Sequence, residues 1–448
     1  MKADIVVIGG NPAGGTAAVT AKKFHKDKSV LVIRREPESL IPCGIPYTLS
    51  MLDSVDDGIK PIVAAKKAGV EYLFGEVTTV DLKQKTLTLQ TKENIEFDKL
   101  IFATGSNPFT PPIPGNDLKG VVTIRKEIEY IKKINESLKD IEKVVVIGAG
   151  FIGVEVSDEL AKSNKKVTLI EAMDSILPLA FDRTFVDPVK KTLVEHGVTI
   201  RTGEMVDSII DEGGKASGVR LKNGETIEAE MVILSIGYRP NSGLAKDAGL
   251  EIGKFGGIIV DEYLRTSEKD IFAVGDCANH KDFFSHKTSN IMLASTGASE
   301  ARIAGMNLYD LKVVRQSKGS IAIFSSSLGD ISIAAAGMTE MAAVEEGFDV
   351  VVGQNNGKDH HPGKLPNCSD QSVKMVFAKK SGLFLGAQII GGQSTGEMIN
   401  ILGLALQKHM TAADLSVLQY GTHPMLTAGP GLYPIVSSAI DVLCKMDF

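Results

Sequence analysis

Val144-Val145-Val146-Ile147-Gly148-Ala149-Gly150-Phe151-Ile152-Gly153 reads as a buried strand, a glycine turn and the start of a helix. Glycines permit the tight turn and close backbone approach, and the helix N-terminus offers unpaired N–H groups and the positive end of a dipole. That is the arrangement a dinucleotide pyrophosphate needs. The helix is expected to run to about Ala161. A second strand, Val167–Ile170, ends on Glu171, 23 residues after Gly148. A carboxylate there accepts from both ribose hydroxyls and repels a 2′-phosphate, so NADH is expected over NADPH.

Working outward, the same unit occurs a second time. Strand Ile5–Ile8 leads into Gly9-Gly10-Asn11-Pro12-Ala13-Gly14-Gly15, an alanine-rich helix to about Lys23, and strand Val30–Ile33. Each copy continues through alternating segments, Thr86–Gln90 and Val219–Lys222 among them, which read as a meander. Each closes on an apolar strand ending in glycine, Ile101–Gly105 and Val232–Gly237. The glycine clusters lie 139 residues apart and the closing glycines 132 apart, which points to two related domains. The first copy is less regular. Asn11 takes the second glycine position, and Arg34 stands where the strand-end carboxylate belongs, with Glu36 two residues on. Either Glu36 reaches a ribose or Arg34 reaches a phosphate. The stretch Pro108–Pro114 reads as a crossover. The last part of the chain has strand signals at Ile321–Phe324 and Val373–Ala378 and a helical pattern near Met398–Lys408, which reads as an α+β domain.

The composition is consistent with this. The chain has 448 residues, 43% hydrophobic and 23% charged, enough for about three domains. With 55 acidic against 49 basic residues, a net charge of −6, there is no bulk reason to expect nucleic acid or an anionic membrane as partner. No apolar run approaches the ~18 residues of a spanning helix. The strand-like start leaves no room for a signal peptide, so a cytoplasmic protein is expected. Four cysteines, at 43, 277, 368 and 444, form no Cys-x-x-Cys pair or zinc motif, and His196, His280, His286 and His409 show no metal spacing; no metal is expected.

The two glycine clusters, Ala103-Thr104-Gly105, Gly237-Tyr238-Arg239-Pro240-Asn241 and Ile271-Phe272-Ala273-Val274-Gly275-Asp276 together resemble the FAD-dependent pyridine nucleotide–disulfide oxidoreductases. The resemblance runs along roughly the whole chain. It implies an α/β architecture of the glutathione reductase type, with two Rossmann-like dinucleotide-binding domains and a C-terminal α+β dimerisation domain. Residues 1–118 and 246–320 would form the FAD domain, 119–245 the NAD(H) domain and 321–448 the dimerisation domain. The cofactor contacts implied are Gly9, Gly10, Asn11, Ala13, Gly14, Arg34, Glu36, Ser39, Thr104, Gly105, Gly148, Gly150, Phe151, Ile152, Gly153, Glu155, Glu171, Gly237, Gly275 and Asp276. Among them, Asp276 would bind the flavin ribityl chain, Glu155 the nicotinamide side, and Phe151 would shield the flavin until nicotinamide displaces it.

Cys43 lies in Ser39-Leu40-Ile41-Pro42-Cys43-Gly44-Ile45-Pro46-Tyr47. Proline suits a first helical turn, so Cys43 is expected just before a helix N-terminus, where the dipole favours thiolate. With no second cysteine nearby, the stretch resembles the single-cysteine branch: coenzyme A-disulfide reductases, NADH oxidases and peroxidases, and persulfide reductases. The expected reaction is NADH-driven reduction of a small disulfide or persulfide, such as coenzyme A disulfide, at Cys43. Reduction of O2 or H2O2 through a Cys43 sulfenic acid is the alternative. Two further classes stand beside these: a reductase of a small redox protein, a kind that usually lacks a cysteine at this position, and a thiol redox sensor, which would turn over slowly with every acceptor.

In the same branch the C-terminal domain forms a homodimer whose partner subunit completes the active site with tyrosines. Here His360-His361-Pro362-Gly363 stands at the first tyrosine stretch, and Tyr420 matches the second. His423-Pro424 is similar to the His-Pro of dithiol reductases, but the glutamate expected five residues later is Ala428. His361, Tyr420 and His423 join Cys43 as candidate catalytic residues. Lys22, Lys23, His25 and Lys26 end the first helix; they meet coenzyme A phosphates or merely offset the dipole. Cys277 reads as a packing residue, and Cys368 and Cys444 have no readable context.

Overall fold

A computed structural model describes residues 1–446. The chain divides into two compact units. The first comprises 1–109, 124–139 and 237–320; the second comprises 110–123, 140–236 and 321 onward.

The first unit is built on a sheet in the order Glu71–Phe74, Val30–Arg34, Lys2–Ile8, Asn94–Phe102, Thr86–Leu89, Val77–Asp81, with Ile271–Ala273 also paired to Asn94–Phe102. The pairings among 71–74, 30–34, 2–8, 94–102 and 271–273 are parallel. Residues 5–8 and strand Val30–Arg34 are covered on both faces, which is why 5–8 and 30–33 read as unbroken Val/Ile/Leu runs, whereas edge strand Glu71–Phe74 does not. The period of two sorts them: Val6, Ile8, Leu31 and Ile33 enter one core, and Ile5, Val7, Val30 and Val32 the other, against Ala17, Ala18 and Ala21 of helix Pro12–Phe24.

The second unit repeats the arrangement. Thr199–Thr202, Lys166–Glu171, Lys143–Ile147, Met231–Leu234 and Val121–Thr123 form a five-stranded parallel sheet in that order, with helix Phe151–Lys162 following the central strand. The C-terminal part is an antiparallel sheet in the order Phe324–Leu328, Ile331–Gly337, Phe384–Gly391, Asp370–Ala378, Val350–Lys358. Helices Thr395–Gln407 and Pro434–Lys445 pack on it. The strand expected at Ile321–Phe324 begins instead at Phe324, because Ala322 takes φ +58, outside the extended region. Among the described residues no helix is long and apolar enough to cross a membrane.

Candidate functional site

In the first unit, Gly9 adopts φ +106 and lifts the chain off the end of its strand. A Cβ on Gly14 would strike the Gly9 carbonyl, so only glycine lets the helix start this close. Asn11 caps the helix in extended backbone, its side chain makes no capping bond, and the first turn carries no acidic residue. The leading N–H groups are therefore left for an external anion.

Arg34, at the end of strand Val30–Arg34, is 7% exposed, packs beside Gly10, and its Nη1 has no hydrogen-bond partner in the structure. A buried guanidinium group in that condition is waiting for an acceptor. Glu36 is engaged elsewhere: it accepts from the backbone N–H of Ile128, while burial and then Glu127 hold its carboxyl above the usual range. FAD fits this cradle on all three counts, the uncapped helix end, the glycine contact and the orphaned Arg34 nitrogen.

The remaining predicted residues of this unit lie at its other strand ends. Thr104 donates to the Asn241 carbonyl, 2.5 Å, and Gly105 accepts from Asn241 N–H, 2.8 Å. Gly237 accepts from Phe109 N–H, 2.9 Å. Asp276 sits in a short 3-10 turn, Gly275–Cys277, accepting from Ser106 at 2.7 Å with Lys126 at 3.4 Å. Ser106 and Lys126 were not anticipated; they lie 170 and 150 residues from Asp276, with no local pattern to betray them. Buried Glu300 likewise accepts the Gly275 N–H, 2.9 Å. Ser39 is buried, and its carbonyl anchors Lys60.

Cys43 is exposed and lies inside a 3-10 turn, Pro42–Gly44, not ahead of an α-helix. Pro46 has no N–H to return to Pro42, so Ile45 N–H closes a shorter loop there, 3.3 Å, and a second 3-10 turn follows at Pro46–Leu49. The expected helix dipole behind the thiol is therefore missing. Asn135 holds the stretch by donating to the Thr48 carbonyl, 2.7 Å. Lys22 is not available to a phosphate either: its ammonium donates to the carbonyls of Lys26 and Lys28 at 3.0 and 2.7 Å, tying down the turn that follows its helix. His25 is buried on Gly305, while Lys23 and Lys26 are exposed.

In the second unit the turn recurs. Gly148 has φ +100, a Cβ on Gly153 would strike the Gly148 carbonyl, and Gly150 caps an uncapped, acid-free helix start with nothing within 4 Å of where its Cβ would be. Glu171 is fixed over this turn, accepting from Ala149 and Met173 N–H at 2.8 and 2.9 Å. On the helix, half-buried Ile152 lies beside Phe151, which stacks on Phe324 with ring centres 4.9 Å apart. Glu155 accepts from Ser326 Oγ, 2.6 Å. Burial pushes its carboxyl up to about 7, against the opposing hydrogen bond from Ser326. The pairing follows from geometry: residues four apart share a helix face, and residues two apart share a strand face. Phe324 and Ser326 could be found only once that pairing was known.

The second unit also joins two of its candidate histidines. His361 N–H donates to the Pro424 carbonyl, 3.2 Å, and its Nδ1 meets the Thr427 carbonyl at 2.8 Å. A carbonyl only accepts, so Nδ1 carries the proton and Nε2 is the basic atom. His423 is exposed and has the opposite arrangement: its Nδ1 accepts from Met425 N–H, 3.2 Å, so neutral His423 presents Nε2–H. Tyr420 stacks on Tyr433, centres 4.1 Å apart, and donates to the Pro430 carbonyl.

Residues 3–301 match the family model for pyridine nucleotide–disulphide oxidoreductases, and residues 323–430 match that family's dimerisation domain. The chain belongs to this family and is an FAD-dependent NAD(P)H oxidoreductase. It is 32% identical over 433 residues to an NADH oxidase of Enterococcus faecalis, spanning 94% of this chain and 95% of that one. It is equally 32% identical over 402 residues to an NAD(P)H coenzyme A polysulfide/persulfide reductase of Pyrococcus horikoshii, spanning 87% and 88%. A solved NAD-dependent persulfide reductase from A. fulgidus superposes with a TM-score of 0.90 at 31% identity, over 99% of this chain and 83% of that one.

Proposed function

We propose that the protein oxidises NADH and reduces a small disulfide or persulfide, such as coenzyme A disulfide, at Cys43. The observation that carries this is the exposed thiol on the Pro42–Gly44 turn of the unit that holds the flavin cradle, with no second cysteine near it in sequence. FAD, when bound, relays two electrons from nicotinamide to sulfur. The first unit would hold it, and residues 110–123 and 140–236 of the second would hold the nicotinamide nucleotide.

The chain's own part starts with the Cys43 thiolate attacking one sulfur of the acceptor. The S–S bond breaks and the distal thiolate leaves, taking a proton from a neighbouring acid. The resulting mixed disulfide accepts two electrons and a proton, which frees the second thiol and restores Cys43. A histidine suits that proton supply in its imidazolium form, and His361 and His423 are the candidates for it. Glu171 favours NADH because its fixed carboxylate repels a 2′-phosphate. Glu155, which burial keeps partly protonated near neutrality, can then donate to a carboxamide oxygen. Residues 321–448 form a homodimer in this reading, so that the partner subunit completes the site. Exposed Val417, Leu426 and Leu432 supply apolar surface for it.

A second reading, NADH oxidase or peroxidase through a Cys43 sulfenic acid, is favoured by the E. faecalis relative, which the chain matches nearly end to end. Anaerobic NADH consumption with coenzyme A disulfide, set against consumption in air without it, separates the two. Fast turnover only in air would overturn the sulfur reading.

A further inference from the structure

The hairpin loop between strands Val350–Lys358 and Asp370–Ala378 brings together three metal-ligating side chains that the reading above does not use. Asp359 and His360 open the loop and Cys368 nears its end. One ligand atom from each lies within 4.8 Å of the other two. No spacing in the sequence announces the set, because the hairpin creates it.

Three details make it more than a chance cluster. Asp359 is 4% exposed, and a carboxylate is costly to bury without donors or a cation. Its Oδ1 accepts from Ser369 N–H, 2.7 Å, and lies 2.7 Å from His360 Nδ1. Its Oδ2 lies over Gly392, where a Cβ would stand 2.6 Å away, so packing fixes the carboxylate plane. The loop's neck is held independently, by Asp359 N–H to the Ser369 carbonyl at 3.1 Å and by the Lys358–Asp370 ion pair at 2.7 Å. The ligands are thus prearranged by a backbone that needs no ion to form.

We propose that Asp359, His360 and Cys368 bind one divalent transition cation, Zn(II) foremost. A sulfur, nitrogen and oxygen set is what Zn(II) takes, whereas Mg(II) and Ca(II) want oxygens alone. Ligand atoms of a tetrahedral zinc site stand roughly 3.5 Å apart, so small side-chain rotations close the set. The cation displaces the proton held between His360 Nδ1 and Asp359 Oδ1, which moves to Nε2, and releases the thiol proton of Cys368. No electron is transferred. Water fills the fourth position. Binding ties both ends of the loop that carries His361.

The test uses the FAD-loaded protein. Zinc per chain is measured by mass spectrometry after purification without chelator. The stripped protein is then titrated anaerobically with Co(II), following the thiolate-to-cobalt charge-transfer band as a difference spectrum. One equivalent and that band are expected. Cys368→Ser should lose the band and bind at least about tenfold more weakly, as loss of even a supporting residue does. His360→Asn should weaken binding similarly with flavin content intact, which answers the case of a misfolded serine variant. Cys444→Ser should change neither. Absence of stoichiometric Co(II) uptake by the parent protein, or uptake unchanged in both ligand variants, would overturn the site.

Discussion

The two glycine turns are nearly the same object. Their first glycines have φ +106 and +100, and their helix caps have φ/ψ of −75/−173 at Asn11 and −71/−177 at Gly150. In both, the last glycine of the turn rests on the carbonyl of the first. They differ where the backbone makes no demand. The middle position is Asn11 in one and Gly150 in the other, and the strand end is Arg34 in one and Glu171 in the other. The outer glycines answer to the fold, since a strand cannot pass into so close a helix without them. The middle residue and the strand end are free to vary, and in the proposed reading they are where one repeated unit becomes two different sites.

Breaking the shared part should have the largest effect. Gly14→Val should abolish flavin retention, and Gly153→Val should spare flavin content while abolishing NADH binding, because each forces a side chain into a carbonyl. Overpacking alone costs about 1–3 kcal/mol. Flavin absorbance per chain and NADH titration read the two; loss of both cofactors in both variants would show that the units are not independent.

Next comes Glu155, whose counterpart at the same offset in the first copy is Thr16. Its folded pKa, about 7, lies above the ordinary 4.5. The folded state therefore holds the proton more tightly, and its contribution is full below pH 4.5 and lost as pH rises through 7. Glu155→Gln removes that slope. The variant should gain on the parent by on the order of 2–3 kcal/mol between pH 4.5 and 7.5, read by denaturant unfolding without nucleotide. Parallel curves would contradict the burial argument.

The strand ends sharpen the contrast further. Glu171→Ala with Ala172→Arg should raise the NADPH-to-NADH ratio of kcat/KM by roughly tenfold or more, the value of a charge-assisted bond exchanged for a repulsion. Arg34→Met should weaken FAD binding by about tenfold while costing the flavin-free protein little, since it removes a buried guanidinium whose Nη1 has no hydrogen-bond partner. An unchanged FAD dissociation constant would place Arg34 outside the flavin site.

What could be read in the sequence follows the same division. Parallel strands buried on both faces are unbroken apolar runs, so both sheets and their glycine turns were visible from local pattern. The short turns at Cys43 are not, because one proline looks like a helix start, whereas Pro42 and Pro46, four apart, prevent one. The start of the strand at Phe324 is not visible in the sequence, since Ala322 looks like any other small apolar residue until its φ is known. Ser326 on Glu155, Lys126 on Asp276 and the Asp359–His360–Cys368 set come from segments that meet only in the folded chain, and no local period encodes them.

If the acceptor is reduced at Cys43, removing that thiol must separate flavin reduction from disulfide turnover. The most direct measurement compares the FAD-loaded parent and Cys43→Ser, without oxygen, by stopped-flow with NADH and then with coenzyme A disulfide. Both should reduce their flavin at similar rates, and only the parent should turn over with the disulfide. Full disulfide turnover by Cys43→Ser would contradict reduction at Cys43.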